Sequence, residues 1–312
     1  MTSMYEGFYG LQERPFDLTP NPRYLLLTPM HQEALSGLDY GITTRRGIAV
    51  LIGEAGTGKT TLLRKVLSLR HQTTASRDTS GDCFVYINHP TLSPEDFYEV
   101  LGERFEFDTS AGSSKRQFLR RLEAFLIERH EQGHLTALIV DEAQSVPDEL
   151  LEEIRLLGNI ESTEDKLLQI VLAGQPELAE RLNQHSLRQF KQRVAVRCHL
   201  SPLEPRETAA YIAGRIRLAG GDASRMFTRD AVIAIHVASG GIPRTISVIC
   251  ENALVSGFAA GERMIDKDTI DEVCRDLDFE DGVASVRSST RARSERGFTD
   301  VDFGVATGSA NR

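Results

Sequence analysis

The chain has 312 residues, 40% hydrophobic and 26% charged, the proportions of an ordinary globular protein long enough for about two domains. A formal charge of -9 and a pI near 5.5 disfavour a protein that coats nucleic acid by charge alone, although a local basic patch remains compatible with them. Cys83, Cys198, Cys250 and Cys274 stand far apart without CxxC spacing, so neither a zinc site nor a disulfide framework is expected, and buried thiols in a reducing cytosol fit better.

The start, Met1-Thr2-Ser3-Met4-Tyr5-Glu6, has no basic segment followed by an apolar one, and no stretch approaches the roughly 18 apolar residues of a membrane span. A cytoplasmic protein is therefore expected. From Gly47 onward, short apolar runs alternate with longer amphipathic segments, the pattern of a parallel sheet flanked by helices. Strands are predicted at 48–52, 84–88, 137–141, 169–173 and 195–200. Ser93-Pro94-Glu95-Asp96 reads as a helix start, with Ser93 as N-cap and Pro94 in the first turn. A second amphipathic helix, about 114–129, aligns Phe118, Leu122, Phe125 and Leu126 on one stripe. Its basic residues, Lys115, Arg116, Arg120, Arg121 and Arg129, fit a solvated face better than a nucleic-acid surface.

After Leu203 the strand pattern gives way to predicted helices at 206–219, 229–239, 243–258 and 267–277, with Gly220-Gly221 and Gly240-Gly241 as stops. A small all-helical second domain follows from that shift. Beyond about Gly282, the chain is rich in Ser, Arg, Gly and Thr and has few large apolar groups to offset ordering entropy. The tail 281–312, with Arg287, Arg291, Arg293 and Arg296, is expected to be disordered and solubilising.

The strongest local signal is Gly53-Glu54-Ala55-Gly56-Thr57-Gly58-Lys59-Thr60-Thr61, a complete GxxxxGKT loop between a predicted strand and a predicted helix. Glycines at 53, 56 and 58 let successive backbone N–H groups converge on phosphate oxygens. Lys59 adds a mobile positive charge, Thr60 offers a hydroxyl to Mg²⁺, and the following helix turns its positive end to the same anion. Leu138-Ile139-Val140-Asp141-Glu142 is an apolar strand ending in two carboxylates. Asp141 is expected to hold Mg²⁺ through its water shell opposite Thr60, and Glu142 to polarise the water that attacks the terminal phosphate.

The strand before Gln175 ends on the same side of a parallel sheet, so that Gln175 can reach the terminal phosphate or the attacking water; a turn residue before Pro176 is the alternative. Arg188 and Arg193 lie where a helical stretch leads into the last strand, and either can reach a neighbouring subunit's nucleotide. An exposed basic helix end explains them equally well. Arg244 begins a helix of the second domain and can fold over the nucleotide from that side.

With these residues laid out, the chain resembles the AAA+ superfamily, and within it the ATPases of the general secretion pathway protein A type, including relatives found with exopolysaccharide and exosortase systems. The resemblance spans about 4–280. It rests on the motifs above and on three amino-terminal stretches: Tyr5-Glu6-Gly7-Phe8-Tyr9-Gly10-Leu11, Arg14 to Pro22, and His31-Gln32-Glu33-Ala34-Leu35. The resemblance implies a Mg²⁺-dependent ATPase whose homo-oligomer serves a secretion or polysaccharide-export machinery, peripheral to the inner membrane through a partner. It implies the first-sensor role for Gln175, the arginine-finger role for Arg193 in preference to Arg188, and the second-sensor role for Arg244. The expected divisions are 1–46, an amino-terminal segment and helix leading into the nucleotide pocket; 47–203, the α/β nucleotide-binding domain; 204–280, the helical lid; and 281–312, the tail. Transposition-helper and origin-recognition ATPases share this core, which makes a DNA-associated regulator the second expectation. No winged-helix pattern follows the lid, which lowers the origin-type reading.

Overall fold

The computed structural model describes residues 5–19, 21–73, 81–88, 91–107, 114–163 and 165–279. The tail 281–312 lies outside the described residues, as do its arginines. The chain divides into two compact units, one made of 27–201 and the other of 1–26 together with 202–312.

The first unit is an α/β layer structure. Its strands are β1 (Ile48–Gly53), β2 (Cys83–Ile87), β3 (Thr136–Val140), β4 (Gln169–Gly174) and β5 (Val194–Leu200), all parallel, in the order β2-β3-β4-β1-β5. Every residue of β1, β3 and β4 is buried, as befits central parallel strands covered on both faces, and beyond the first residues Thr136 of β3 and Gln169 of β4 their sequences are apolar runs. β5, at one edge, alternates in exposure. The helices of this unit are α2 (Pro29–Thr43), α3 (Lys59–Thr73), α4 (Pro94–Arg104), α5 (Lys115–Glu131), α6 (Asp148–Leu157), α7 (Pro176–Leu182) and α8 (Arg188–Arg193), following α1 (Glu6–Tyr9) of the other unit. Ser93 caps α4 through its side chain, which accepts from the Asp96 N–H, and Pro94 occupies the first turn. Phe97, Leu101, Leu122, Leu126, Leu138, Leu150 and Ile154 are fully enclosed in one core with β1, β3 and β4.

The second unit is helical: α9 (Pro205–Leu218), α10 (Arg229–Ser239), α11 (Pro243–Ala260) and α12 (Lys267–Asp276). Its core contains Ile212, Ile216, Ile235, Ile249, Leu254 and Ile270, and also Tyr5, Leu11 and Phe16 from the amino terminus. The amino-terminal 46 residues are thus split, with α2 in the α/β unit and the preceding aromatic segment completing the helical core. Polar ties fix that segment. Tyr5 donates to both carboxylate oxygens of Glu251 at 2.8 and 2.7 Å, and Tyr9 donates to the Glu262 carbonyl at 2.9 Å. Arg215 is buried between the rings of Tyr24 and Tyr211 and donates through its terminal nitrogens to Ser247 and to the Asp17 carbonyl, a cation held by π-faces and neutral oxygens.

Candidate nucleotide site

Three neighbouring strands of the α/β unit end side by side. In register, Val140 of β3 pairs with Leu172 of β4, and Gly174 of β4 pairs with Ile52 of β1. The residues just beyond these ends face a common crevice, as in other open α/β sheets.

Beyond β1 the chain turns through the glycine loop and enters α3. Gly56 and Gly58 have φ of 80° and 98°, the left-handed region that glycine enters without a Cβ penalty. Thr57 is fully buried, with its hydroxyl on the Glu54 carbonyl at 2.8 Å. Lys59 is 5% exposed and donates to the carbonyls of Gly53 at 2.8 Å and Glu54 at 3.0 Å. Burial lowers its pKa, while the charges of Glu142, Asp141, Glu54 and Glu177 pull the other way and favour the ammonium. Here the ammonium donates to its own loop's carbonyl oxygens, acceptors that the oxygens of an incoming anion can replace.

Asp141 follows β3 and is 3% exposed. Its main-chain N–H donates to the Ile87 carbonyl at 2.8 Å, continuing the ladder from β2. Its Oδ2 accepts from Thr60 Oγ1 at 2.6 Å and from the Tyr86 hydroxyl at 2.5 Å, and its Oδ1 from the Glu142 N–H at 3.0 Å. Thr60 and Asp141 therefore form a convergent pair of hard oxygens, the donor set that suits Mg²⁺. The residues present fit that ion. Burial, and then the contact with Asp141, raise the pKa of Tyr86 and keep it a donor.

Glu142 takes a left-handed backbone, φ 53°, uncommon for a residue with a side chain. Its Oε2 accepts from Gln144 Nε2 at 2.6 Å and from Gln175 Nε2 at 3.4 Å. Lys59, Thr60, Asp141, Glu142 and Gln175 are thus linked by contacts and mutual fields in one crevice. The exposed Arg188 and Arg193 lie elsewhere: Arg193 precedes Val194, which pairs with Ile48 at the amino end of β1. At about 3.3 Å per strand residue, that is roughly 15–20 Å from the glycine loop. Arg244 belongs to the helical unit, exposed in the first turn of α11. Tyr86 and Gln144 escaped the sequence reading. One is a lone tyrosine in a strand and the other a polar residue after two acids, and neither position carries a spacing signal.

A glycine-loop lysine, a strand-end acid pair and a parallel sheet ordered β2-β3-β4-β1-β5 define a P-loop protein of the AAA+ class. A family model described as an AAA domain matches residues 42–182. The chain is 38% identical over 262 residues to general secretion pathway protein A of Aeromonas hydrophila, a match covering 84% of this chain and 46% of that relative, so the chain spans under half of the relative's length. Among solved structures it is similar to the ORC2 protein of Aeropyrum pernix in ADPNP–ADP complexes, with a TM-score of 0.61 and 18% identity over 85% of this chain and 71% of that one. It is also similar to Drosophila ORC bound to DNA, with a TM-score of 0.64 and 17% identity over 93% and 70%. At such identities these structures speak for the fold alone. No helix among the described residues is long and apolar enough to cross a membrane.

Proposed function

We propose that the chain binds ATP with Mg²⁺ and hydrolyses it, and that its nucleotide state controls a homo-oligomer serving a secretion or polysaccharide-export machinery. The observation that carries the chemistry is the convergence of Lys59, Thr60, Asp141, Glu142 and Gln175 in one crevice. The similarity to general secretion pathway protein A supports the setting. In this reading the amides of 53–61 and the Lys59 ammonium cradle the phosphates, and Thr60 and Asp141 hold Mg²⁺. The bound ion neutralises charge on the phosphate oxygens. Glu142 accepts the proton of the attacking water and Gln175 orients it or the terminal phosphate. Arg193 completes a neighbouring subunit's site, and Arg244 acts as the sensor of the helical unit.

The test is phosphate release from ATP with Mg²⁺ and with EDTA, beside calorimetric binding. Lys59→Ala should abolish binding, whereas Glu142→Gln should retain it and lose about 10²-fold or more in turnover. Unchanged affinity in the first variant, or full turnover in the second, overturns the assignment. Capture of partners by the Glu142→Gln protein with ATP, from its native cell, identifies the machinery: export components support the setting, and DNA-bound factors replace it with the DNA-associated alternative.

A further inference from the structure

Gln144 sits in the short 3₁₀ turn Ala143–Ser145 that follows the acid pair. Its side-chain Oε1 accepts from the Gln175 main-chain N–H at 3.1 Å, and its Nε2 donates to Glu142 Oε2 at 2.6 Å. The amide's orientation is not arbitrary. A backbone N–H can only donate, so the atom facing Gln175 must be the oxygen, and the NH₂ is thereby turned to the carboxylate. Gly174 makes room: a Cβ there would stand 3.0 Å from Gln144 Oε1. The turn itself is gripped from α7, where Arg181 donates to the Gln144 carbonyl at 2.6 Å and pairs with Asp148.

We propose that Gln144 is a positioning residue for the hydrolytic step, acting through Glu142; the inference rests on the proposed ATPase reading. By bridging the ends of β3 and β4, it ties the carboxylate of Glu142 to the backbone of Gln175. Both amide donors, from Gln144 and Gln175, fall on the same oxygen, Oε2. The rotation of the carboxylate is thereby fixed, and Oε1 is the oxygen left to face a water. A base held this way keeps one distance and angle to its proton donor through each cycle, the kind of preorganisation whose loss lowers the rate of chemistry rather than the affinity for substrate. Gln144 touches neither the glycine loop nor the Thr60–Asp141 pair in any described contact, so its removal should leave nucleotide binding intact.

The test uses Gln144→Ala and the isosteric Gln144→Glu, each alone and in a Glu142→Ala background, on the full chain. Gln144→Glu keeps an acceptor for the Gln175 N–H and the same volume, but replaces the donor to Glu142 with a like charge. Single-turnover hydrolysis of radiolabelled ATP, calorimetric Mg-ATP affinity and thermal melting are read for every variant. Loss of a hydrogen bond to a charged group predicts that each single variant drops about 10- to 100-fold in the hydrolysis rate, with affinity within about twofold of wild type. In the Glu142→Ala background, where no carboxylate remains to be positioned, the same changes should add less than about twofold. Hydrolysis at the wild-type rate, a loss appearing in affinity, or an equal fractional loss in both backgrounds overturns the proposal while leaving the ATPase reading standing. A wild-type chain without turnover removes that reading, and this inference with it.

Discussion

The hydroxyl of Tyr86 lies 2.5 Å from Oδ2 of Asp141, so a side chain within β2 steadies a carboxylate that starts where β3 ends. The same oxygen takes the Thr60 hydroxyl at 2.6 Å. Tyr86→Phe deletes one donor with almost no change in volume, leaving Asp141 freer to rotate. The Mg²⁺ concentration needed for half-maximal ATP binding should rise about three- to tenfold, a fraction of what a hydrogen bond to a charged group can contribute. Nucleotide affinity measured in EDTA should not move. A magnesium requirement that stays the same or falls assigns the tyrosine a packing role only.

Arg193 gives a different kind of test, because the sheet register sets it at the far end of β1 from the glycine loop. On the function proposed above, a finger so placed serves a neighbour's phosphates and not its own. Arg193→Ala should keep ATP binding and lose about 10³-fold in turnover, the scale of arginine fingers generally. Mixing it with Glu142→Gln protein should restore part of the activity, since some interfaces then pair an intact glutamate with an intact arginine. No recovery in a mixture shown by light scattering to co-assemble points to Arg188 or to a monomeric mechanism.

Glu251 predicts a pH signature in the helical unit. Burial raises its pKa above the ordinary carboxylate value, with Glu6 and Asp17 pushing the same way and the Tyr5 hydroxyl and Arg14 opposing. The folded chain therefore holds this proton more tightly than the unfolded chain. The contribution to stability is full below the ordinary pKa and is lost as pH rises through the raised one. Glu251→Gln cannot titrate, yet it keeps an acceptor for Tyr5. Its melting temperature relative to wild type should climb as pH rises above the ordinary carboxylate range; a difference that stays constant or drifts downward removes the assignment.

Phe16 tests how firmly the amino-terminal segment is seated. Its side chain is fully enclosed in the helical core, and truncation to alanine leaves a cavity there. The expected cost is about 3–5 kcal/mol of stability, read from denaturant midpoints of the unit that contains it. A shift under about 1 kcal/mol would show that the segment contributes little to that core.

The α/β unit was legible because its signals are local. Val50 to Thr61 reads as strand, glycine loop and helix in one stretch, and the buried strands are mostly apolar runs that stand out against amphipathic flanks. The Ser93–Pro94 helix start has its own chemistry and lies where the sequence expected it. Other features were not legible, Tyr86 among them. Gln144 acquires its place from the meeting of two strand ends, which no spacing along the chain encodes. The split of the first 46 residues depends on partners such as Glu251, far along the chain, and an aromatic segment gives no sign of which core it will enter.

That remote pairing also shapes how the protein is made. Tyr5 and Glu251 are 246 positions apart, and at about 5–20 residues per second of synthesis, the tyrosine waits roughly ten to fifty seconds for its acceptor to be translated. The stretch 27–201 is continuous and can close during that wait, as domains generally fold as units. Tyr5, Leu11 and Phe16 leave the ribosome well before the helices that enclose them, so the nascent chain carries an uncovered aromatic arm until those helices are made.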